Sequence, residues 1–162
     1  MLAAACQFFA LNLPARTETL SPLTGRGYAV LPVPQKVALG PKDFAFTDGW
    51  QLLSSPGVKA DDVAIESLND QLAERFRITL ADPKAPRGQG GIIRLAIAPG
   101  SVAVGKAADK NKSGLADQAY HLSLKPQEIR VSANAALGLF YGVQTLVQLL
   151  RPQGNRWSLP EG

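Results

Sequence analysis

The sequence predicts an α+β domain in which one mixed β-sheet carries two helices packed on one face. Two observations carry this expectation. Short runs of alternating apolar residues recur through residues 28–53 and 92–131, and two longer segments, 59–76 and 134–150, repeat apolar residues every three to four positions. The resulting order is β-rich segment, helix, strand, strand pair, helix.

The first 27 residues stand apart. Residues 1–15 (MLAAACQFFALNLPA) are apolar, rich in small residues and uncharged, and Arg16 opens a polar stretch. That is the pattern of the back half of a secretory signal peptide ending near Ala15, without the usual positive start. The run Ala3-Ala4-Ala5-Cys6 resembles a lipoprotein acylation site. The expected location is therefore extracytoplasmic, periplasmic or secreted, with lipid anchoring as a variant. Residues 16–27 carry Pro and Gly among polar residues and are expected to be linker, so the folded domain is expected over 28–162.

Along that domain, residues 28–36 alternate but contain Pro32 and Pro34, which cannot donate to a sheet ladder; an edge or extended entry is expected. Residues 44–46 and 50–53 are short β-like runs separated by Asp48-Gly49, a hairpin signal. The helix over 59–76 opens with Asp61 and Asp62 and closes with Arg75 and Arg77, as the helix dipole favours. Its apolar stripe is Ile65, Leu68, Leu72 and Phe76, and its outer face Glu66, Asn69, Asp70 and Glu74. Gly88-Gln89-Gly90-Gly91 leads into a strand over 92–98, and residues 99–118 are expected to form a long, mobile, basic loop. A hairpin follows: Tyr120, Leu122 and Leu124 alternate, Pro126-Gln127 turns, and Ile129 and Val131 return. Asn134 is placed to cap the second helix, and Pro152 to stop it.

Wrapping residues 136–151 at 100° per residue gives three sectors. Ala136, Leu139, Phe140, Val143, Leu146, Val147 and Leu150 form a core face. Tyr141, Gln144, Gln148 and Arg151 form a polar stripe, and Gly138, Gly142, Thr145 and Leu149 a stripe of mostly small residues. Glycine inside a helix costs roughly 1 kcal/mol relative to alanine, which makes sense where another backbone approaches closely. That backbone belongs either to the domain's own sheet or to a second domain. Gly138, Tyr141, Gly142, Gln144, Thr145 and Gln148 are thus candidate interdomain contacts.

Composition excludes several functions. Of 162 residues, 46% are apolar and 19% charged, an ordinary globular balance, and the net charge of +4 is scattered without a basic run of the kind nucleic acid requires. Clustered lysines at 106, 110 and 112 are expected to be solvated loop. No apolar run approaches the roughly 20 residues of a membrane span. Cys6 is the only cysteine, so no intrachain disulfide and no cysteine-built metal site can form. His121 is the only histidine; neither a zinc motif, a Gly-x-Ser-x-Gly elbow nor a P-loop is present, and no cofactor is expected.

Residues 120–150 (YHLSLKPQEIRVSANAALGLFYGVQTLVQLL) resemble the end of the N-terminal domain of family 20 glycoside hydrolases, the β-N-acetylhexosaminidase type. The match runs through Gly138, Phe140, Tyr141, Gly142, Gln144, Thr145, Leu146, Gln148 and Leu149, and the opening Pro32-x-Pro34 agrees with it. The resemblance implies a zincin-like α+β shape, without zinc, and a following (β/α)₈ barrel as partner. Such a barrel takes about 250 residues. Residues 157–162 are expected to be the connector just before it. The resemblance further implies substrate-assisted hydrolysis by an adjacent Asp-Glu pair. No Asp-Glu dipeptide occurs here; Asp61-Asp62 is the only adjacent acidic pair, and a helix start explains it. The chain alone is expected to be an inert accessory domain.

Two rivals remain open. An independent carbohydrate-binding module would need exposed aromatics, for which Tyr28, Trp50 and Trp157 are the candidates. The same kind of domain also resembles those preceding α-glucuronidase or O-GlcNAc-hydrolase barrels.

Overall fold

The computed structural model of the protein describes residues 21–86, 90–104 and 111–162. The leader expected over 1–15 with Cys6, the start of the Gly88–Gly91 run, and the lysines at 106 and 110 lie outside the described residues. Among the described residues there are four helices and seven strands in two sheets.

The first element among the described residues is a single turn, α1 (Pro22–Gly25), where Ser21 accepts from the Thr24 N–H and Pro22 stands at the first position. Leu23 inside it is only 5% exposed, so this part of the expected linker is already core. Strand β1 (Asp43–Phe46) and strand β2 (Gln51–Ser54) do not form the expected hairpin. β1 pairs antiparallel with β7 (Arg156–Pro160), while β2 runs parallel to β3 (Ile92–Ile97). Gly49 supplies a positive φ of 89° for the turn. The aromatic rings explain why the chain changes sheets there: Phe44 and Phe46 pack on Trp50 at centroid distances of 6.2 and 5.0 Å. Both sheets thus contribute to one core.

Helix α2 (Val63–Phe76) is the crossover between parallel β2 and β3. Asp62 caps it, accepting from the Ala64 N–H, and Arg77 closes it in the left-handed region at φ 58°. Ala64, Leu68, Leu72 and Phe76 are buried, Ile65 sits at the margin, and Glu66, Asn69, Asp70 and Glu74 face solvent. β4 (Tyr120–Lys125) and β5 (Glu128–Ala133) form the expected antiparallel hairpin, and β5 runs parallel to β3, giving the order β2-β3-β5-β4. Alternation then sorts the side chains. Ile93, Leu95, Ile129, Val131 and Ala133 are buried on one face, while Arg94, Arg130 and Ser132 point to the other.

Helix α4 (Ala136–Gln148) lies on the same sheet as α2. Asn134 does not cap it. The first turn starts from Ala135, which makes no side-chain cap, and the Asn134 side chain instead bridges two neighbouring segments. It donates to the carbonyls of Val102 and Ala116 and accepts from the Val102 N–H. Its second target belongs to α3 (Lys112–Gln118), a short helix capped by Asn111 in what the composition presents as loop. Nor does Pro152 end α4; the helix stops at Gln148, and Pro152 lies in β6 (Arg151–Gln153). Among the described residues that strand pairs only with β7, at an edge where proline is tolerated.

The second sheet has the order β1-β7-β6. Residues 157–162, expected as a connector, are built into the structure. Beyond β7, Glu161 donates to the Lys42 carbonyl, and Gly162 exchanges a reciprocal pair of backbone bonds with Leu124 on the outer edge of β4 (2.7 and 2.9 Å). The single sheet of the sequence expectation is therefore two sheets bridged at Gly162.

Candidate functional site

The small-residue stripe of α4 lets the helix sink onto its own domain. A Cβ at Gly138 would stand 2.5 Å from the Ala119 carbonyl oxygen and 2.9 Å from that of Asp117. One at Gly142 would stand 2.5 Å from Val131 Cγ1 and 3.2 Å from the Tyr120 ring. One turn on, the Thr145 and Tyr120 hydroxyls share a hydrogen bond of 2.7 Å. These three candidate residues are occupied within the domain, which is the first of the two readings of the glycines.

The neighbouring stripe is different. Gln144 bridges to α2, donating to Ser67 Oγ at 2.9 Å and accepting from Gln71 Nε2 at 3.1 Å. Gln148 reaches the entry segment: the Leu31 N–H donates to its Oε1 at 2.8 Å, and its Nε2 donates to the Leu31 carbonyl at 3.1 Å. On the same side of α4, Tyr141 is 38% exposed and Leu137 44% exposed. Val63 at the start of α2 and Leu31 and Val33 in the entry segment are exposed as well. The sequence singles out Tyr141, Gln144 and Gln148 on this side of the molecule, and it does not single out the exposed Leu31, Val33, Val63 and Leu137. For Leu31 and Val33 the signal was there, in apolar residues alternating with proline.

Arg151, just past α4, holds the other end of this layer. Its guanidinium lies 4.4 Å from the Tyr28 ring centroid, donates to the Arg26 carbonyl at 2.6 Å and pairs with Asp43 at 2.8 Å. Asp43 also accepts from Arg26 and from the Tyr28 hydroxyl. Burial first, then the bond to the Asp43 carboxylate, pushes the Tyr28 hydroxyl up to about 12.

The opposite face of the four-stranded sheet is open and polar. Glu128 accepts from Arg130 and Arg94 there, and those bonds, Arg130 first, hold its carboxyl below the ordinary range. The three border a shallow groove of about 360 Å³ with Leu53, Ser55 and Ser132. Nothing in it pairs a nucleophile with a base. Asp62 is engaged as the α2 cap, His121 is exposed on β4, and among the described residues no three His, Cys, Asp or Glu side chains gather to hold a metal. Among the described residues no helix is long and apolar enough to cross a membrane. The aromatic candidates for sugar stacking are also engaged. Trp50 and Tyr28 are 2% and 3% exposed, and Trp157 packs edge-on against Phe76 and donates to its carbonyl.

Comparison with known proteins completes the picture. Residues 27–162 match the family described as glycosyl hydrolase family 20, domain 2. No curated protein matches the chain. Among solved structures, a chitobiase from Flavobacterium johnsoniae superposes with a TM-score of 0.62 at 19% identity, over 85% of this chain and 20% of that one. The family 20 β-N-acetylhexosaminidase of Streptomyces coelicolor A3(2) gives 0.55 at 26% identity, over 80% and 24%. A mutant β-hexosaminidase of Streptomyces plicatus, in complex with its product, gives 0.57 at 30% identity, over 82% and 25%. The chain thus spans a fifth to a quarter of the length of these enzymes. The chain belongs to glycosyl hydrolase family 20, as the accessory α+β unit that the family description numbers domain 2.

Proposed function

We propose that residues 28–162 are the N-terminal accessory domain of a β-N-acetylhexosaminidase, which hydrolyses terminal β-linked N-acetylhexosamine residues. Residues 1–15 serve as leader, any linker ends before α1, and the whole protein works outside the cytoplasm. The catalytic partner is a (β/α)₈ barrel of the same full-length chain, and the accessory domain contributes no catalytic residue of its own. The zincin-like description of the shape belongs to this reading; α2 and α4 side by side on one face of a mixed four-stranded sheet support it.

One observation carries the proposal. Helix α4 contains no charged residue over its whole length, yet it is a surface helix of the isolated domain. A helix apolar or uncharged all round is normally buried. Tyr141, Gln144 and Gln148, together with Leu137, form its outward side, and a barrel seated there would return Leu137 and Tyr141 to an interior. Both are already more than half buried, so covering what remains would contribute on the order of 1 kcal/mol each. Gly138, Gly142 and Thr145 act one layer beneath, setting the depth at which α4 presents that side. The domain's task is then to cover and brace the barrel.

The test is an assay of two proteins on a β-linked N-acetylglucosaminide reporter. The full-length parent should cleave it, and the 162-residue chain should not. Turnover by the short chain would overturn the reading.

A further inference from the structure

Resting on the reading that a catalytic barrel covers the helical layer, we propose that the ridge at Leu31 and Val33, clamped to α4 by Gln148, is the second half of that interface. Gln148 is a positioning residue for it.

The entry segment alternates. Val30 is buried at 6%, whereas Leu31 and Val33 turn outward at 75% and 62%, the two most exposed large apolar residues described. A loop left to solvent has no reason to carry both. The segment is also held: Gln148 makes both an acceptor and a donor bond to the Leu31 backbone, doing for one residue what a neighbouring strand would do. Gln148 lies on the same stripe of α4 as Gln144 and Tyr141, so the clamp joins the ridge edge-on to the uncharged outer side of the helix. From residue 27 to residue 35 no charged side chain interrupts it. Pro32 and Pro34 have no N–H, so the ridge offers no ladder for a strand to extend. What remains to meet a partner is apolar side-chain surface, which suits a packed protein surface of the same chemistry. The similar enzymes leave three-quarters or more of their chains beyond the matched region, so a covalently attached partner of that kind is at hand.

The experiment uses the full-length enzyme and calorimetric unfolding, with far-ultraviolet circular dichroism as the check on folding. The wild type should melt in a single transition, accessory domain and barrel together. Leu31→Ser with Val33→Ser, both at solvent-exposed positions, should split it, releasing the accessory domain to melt roughly 3–6 °C lower. Gln148→Ala should split it less, and Gln148→Glu, which keeps the acceptor for the Leu31 N–H but loses the donor, should fall between that variant and wild type. Tyr141→Ser separates the two ideas. If it splits the transition while the ridge variants leave it single, the ridge is outside the interface and the inference fails although the docking reading stands. If none of these variants splits it, the docking reading itself fails. A wild-type dimer by light scattering that the ridge variants dissociate would give the ridge to a second copy and overturn the inference.

Discussion

Helices α2 and α4 lie side by side on the same sheet, are 14 and 13 residues long, and are built on opposite rules. α2 is encoded locally. It has an aspartate cap, Glu66 in its first turn, Arg75 in its last and a solvent side of Glu66, Asp70 and Glu74. α4 has no side-chain cap, no acidic residue at its start and no basic one at its end. What holds it is tertiary: two glycines that let it sink, Thr145 bound to Tyr120, Gln144 bound to α2, Gln148 bound to Leu31, and Arg151 locked to Asp43 just beyond. The lesson is that a helix can be surface by geometry and interior by composition. The second property points to function, because residues on an outer face free of charge are suited to a partner and not to water.

The inner faces should not distinguish the helices. Leu68 of α2 and Leu139 of α4 are both fully buried, so Leu68→Ala and Leu139→Ala should each cost about 3 kcal/mol in urea unfolding. A cost below about 1 kcal/mol for either would show that its helix is loosely seated, and the comparison would break. The glycine stripe should distinguish them next. Gly138→Ala gains up to about 1 kcal/mol of helix propensity but drives a methyl group against the Ala119 and Asp117 carbonyls, which belong to backbone and cannot rotate away. A net loss of about 2 kcal/mol is expected. Stabilisation instead would mean that α4 does not rest on the α3–β4 connection.

The same contrast explains what could be read from the sequence. α2 was legible because its signals are local: the acidic residues at its start, the basic ones at its end and the apolar stripe all lie within or beside the segment. The β4–β5 hairpin was legible for the same reason. The Asp48-Gly49 turn was misread because turn chemistry specifies a reversal and not its partner; Phe44, Phe46 and Trp50 decide that by stacking across the two sheets. Asn134 was misread as a cap because a capping residue and a bridging residue look alike until Val102 and Ala116 arrive beside it. At the candidate site, the periodicity of α4 sorted its residues into stripes. It could not say that Gly138 and Gly142 face inward, since a stripe of small residues has the same spacing whichever backbone it meets. Leu31 and Val33 were missed because exposure of an alternating segment depends on which side the core lies.

Caps offer a smaller test of the same difference. Asp62→Ala should cost about 1 kcal/mol, since the Ala64 N–H loses its acceptor. Ala135→Ser should gain on the order of 0.5–1 kcal/mol, because α4 begins with no cap from an extended backbone that a serine can adopt. Denaturant midpoints for the two variants should move in opposite directions. If Ala135→Ser is neutral, the first turn of α4 is already satisfied by its surroundings, and the contrast between local and tertiary encoding weakens at that end.

The other end of α4 gives the smallest effect and the clearest signature in pH. The Tyr28 hydroxyl donates to an Asp43 carboxylate that both Arg26 and Arg151 also reach, so Tyr28→Phe leaves the carboxylate paired and should cost only about 0.5 kcal/mol at pH 7. In the folded protein the hydroxyl holds its proton up to about 12, against an ordinary value of 10.0. A group whose affinity for the proton rises on folding contributes fully below its unfolded value and loses that contribution as pH climbs towards its folded one. The tyrosine therefore stabilises the fold below about pH 10 and progressively less from there to about pH 12. Every other side chain is common to both proteins, so the quantity to follow is the difference in urea midpoint between wild type and Tyr28→Phe. It should be constant from pH 7 to 9, then shrink and reverse as the pH passes 10 towards 12. A difference unchanged across that window would place the hydroxyl in water and leave Arg151, stacked on the bare ring, together with the Gln148–Leu31 bonds to tie the end of α4 to the entry segment.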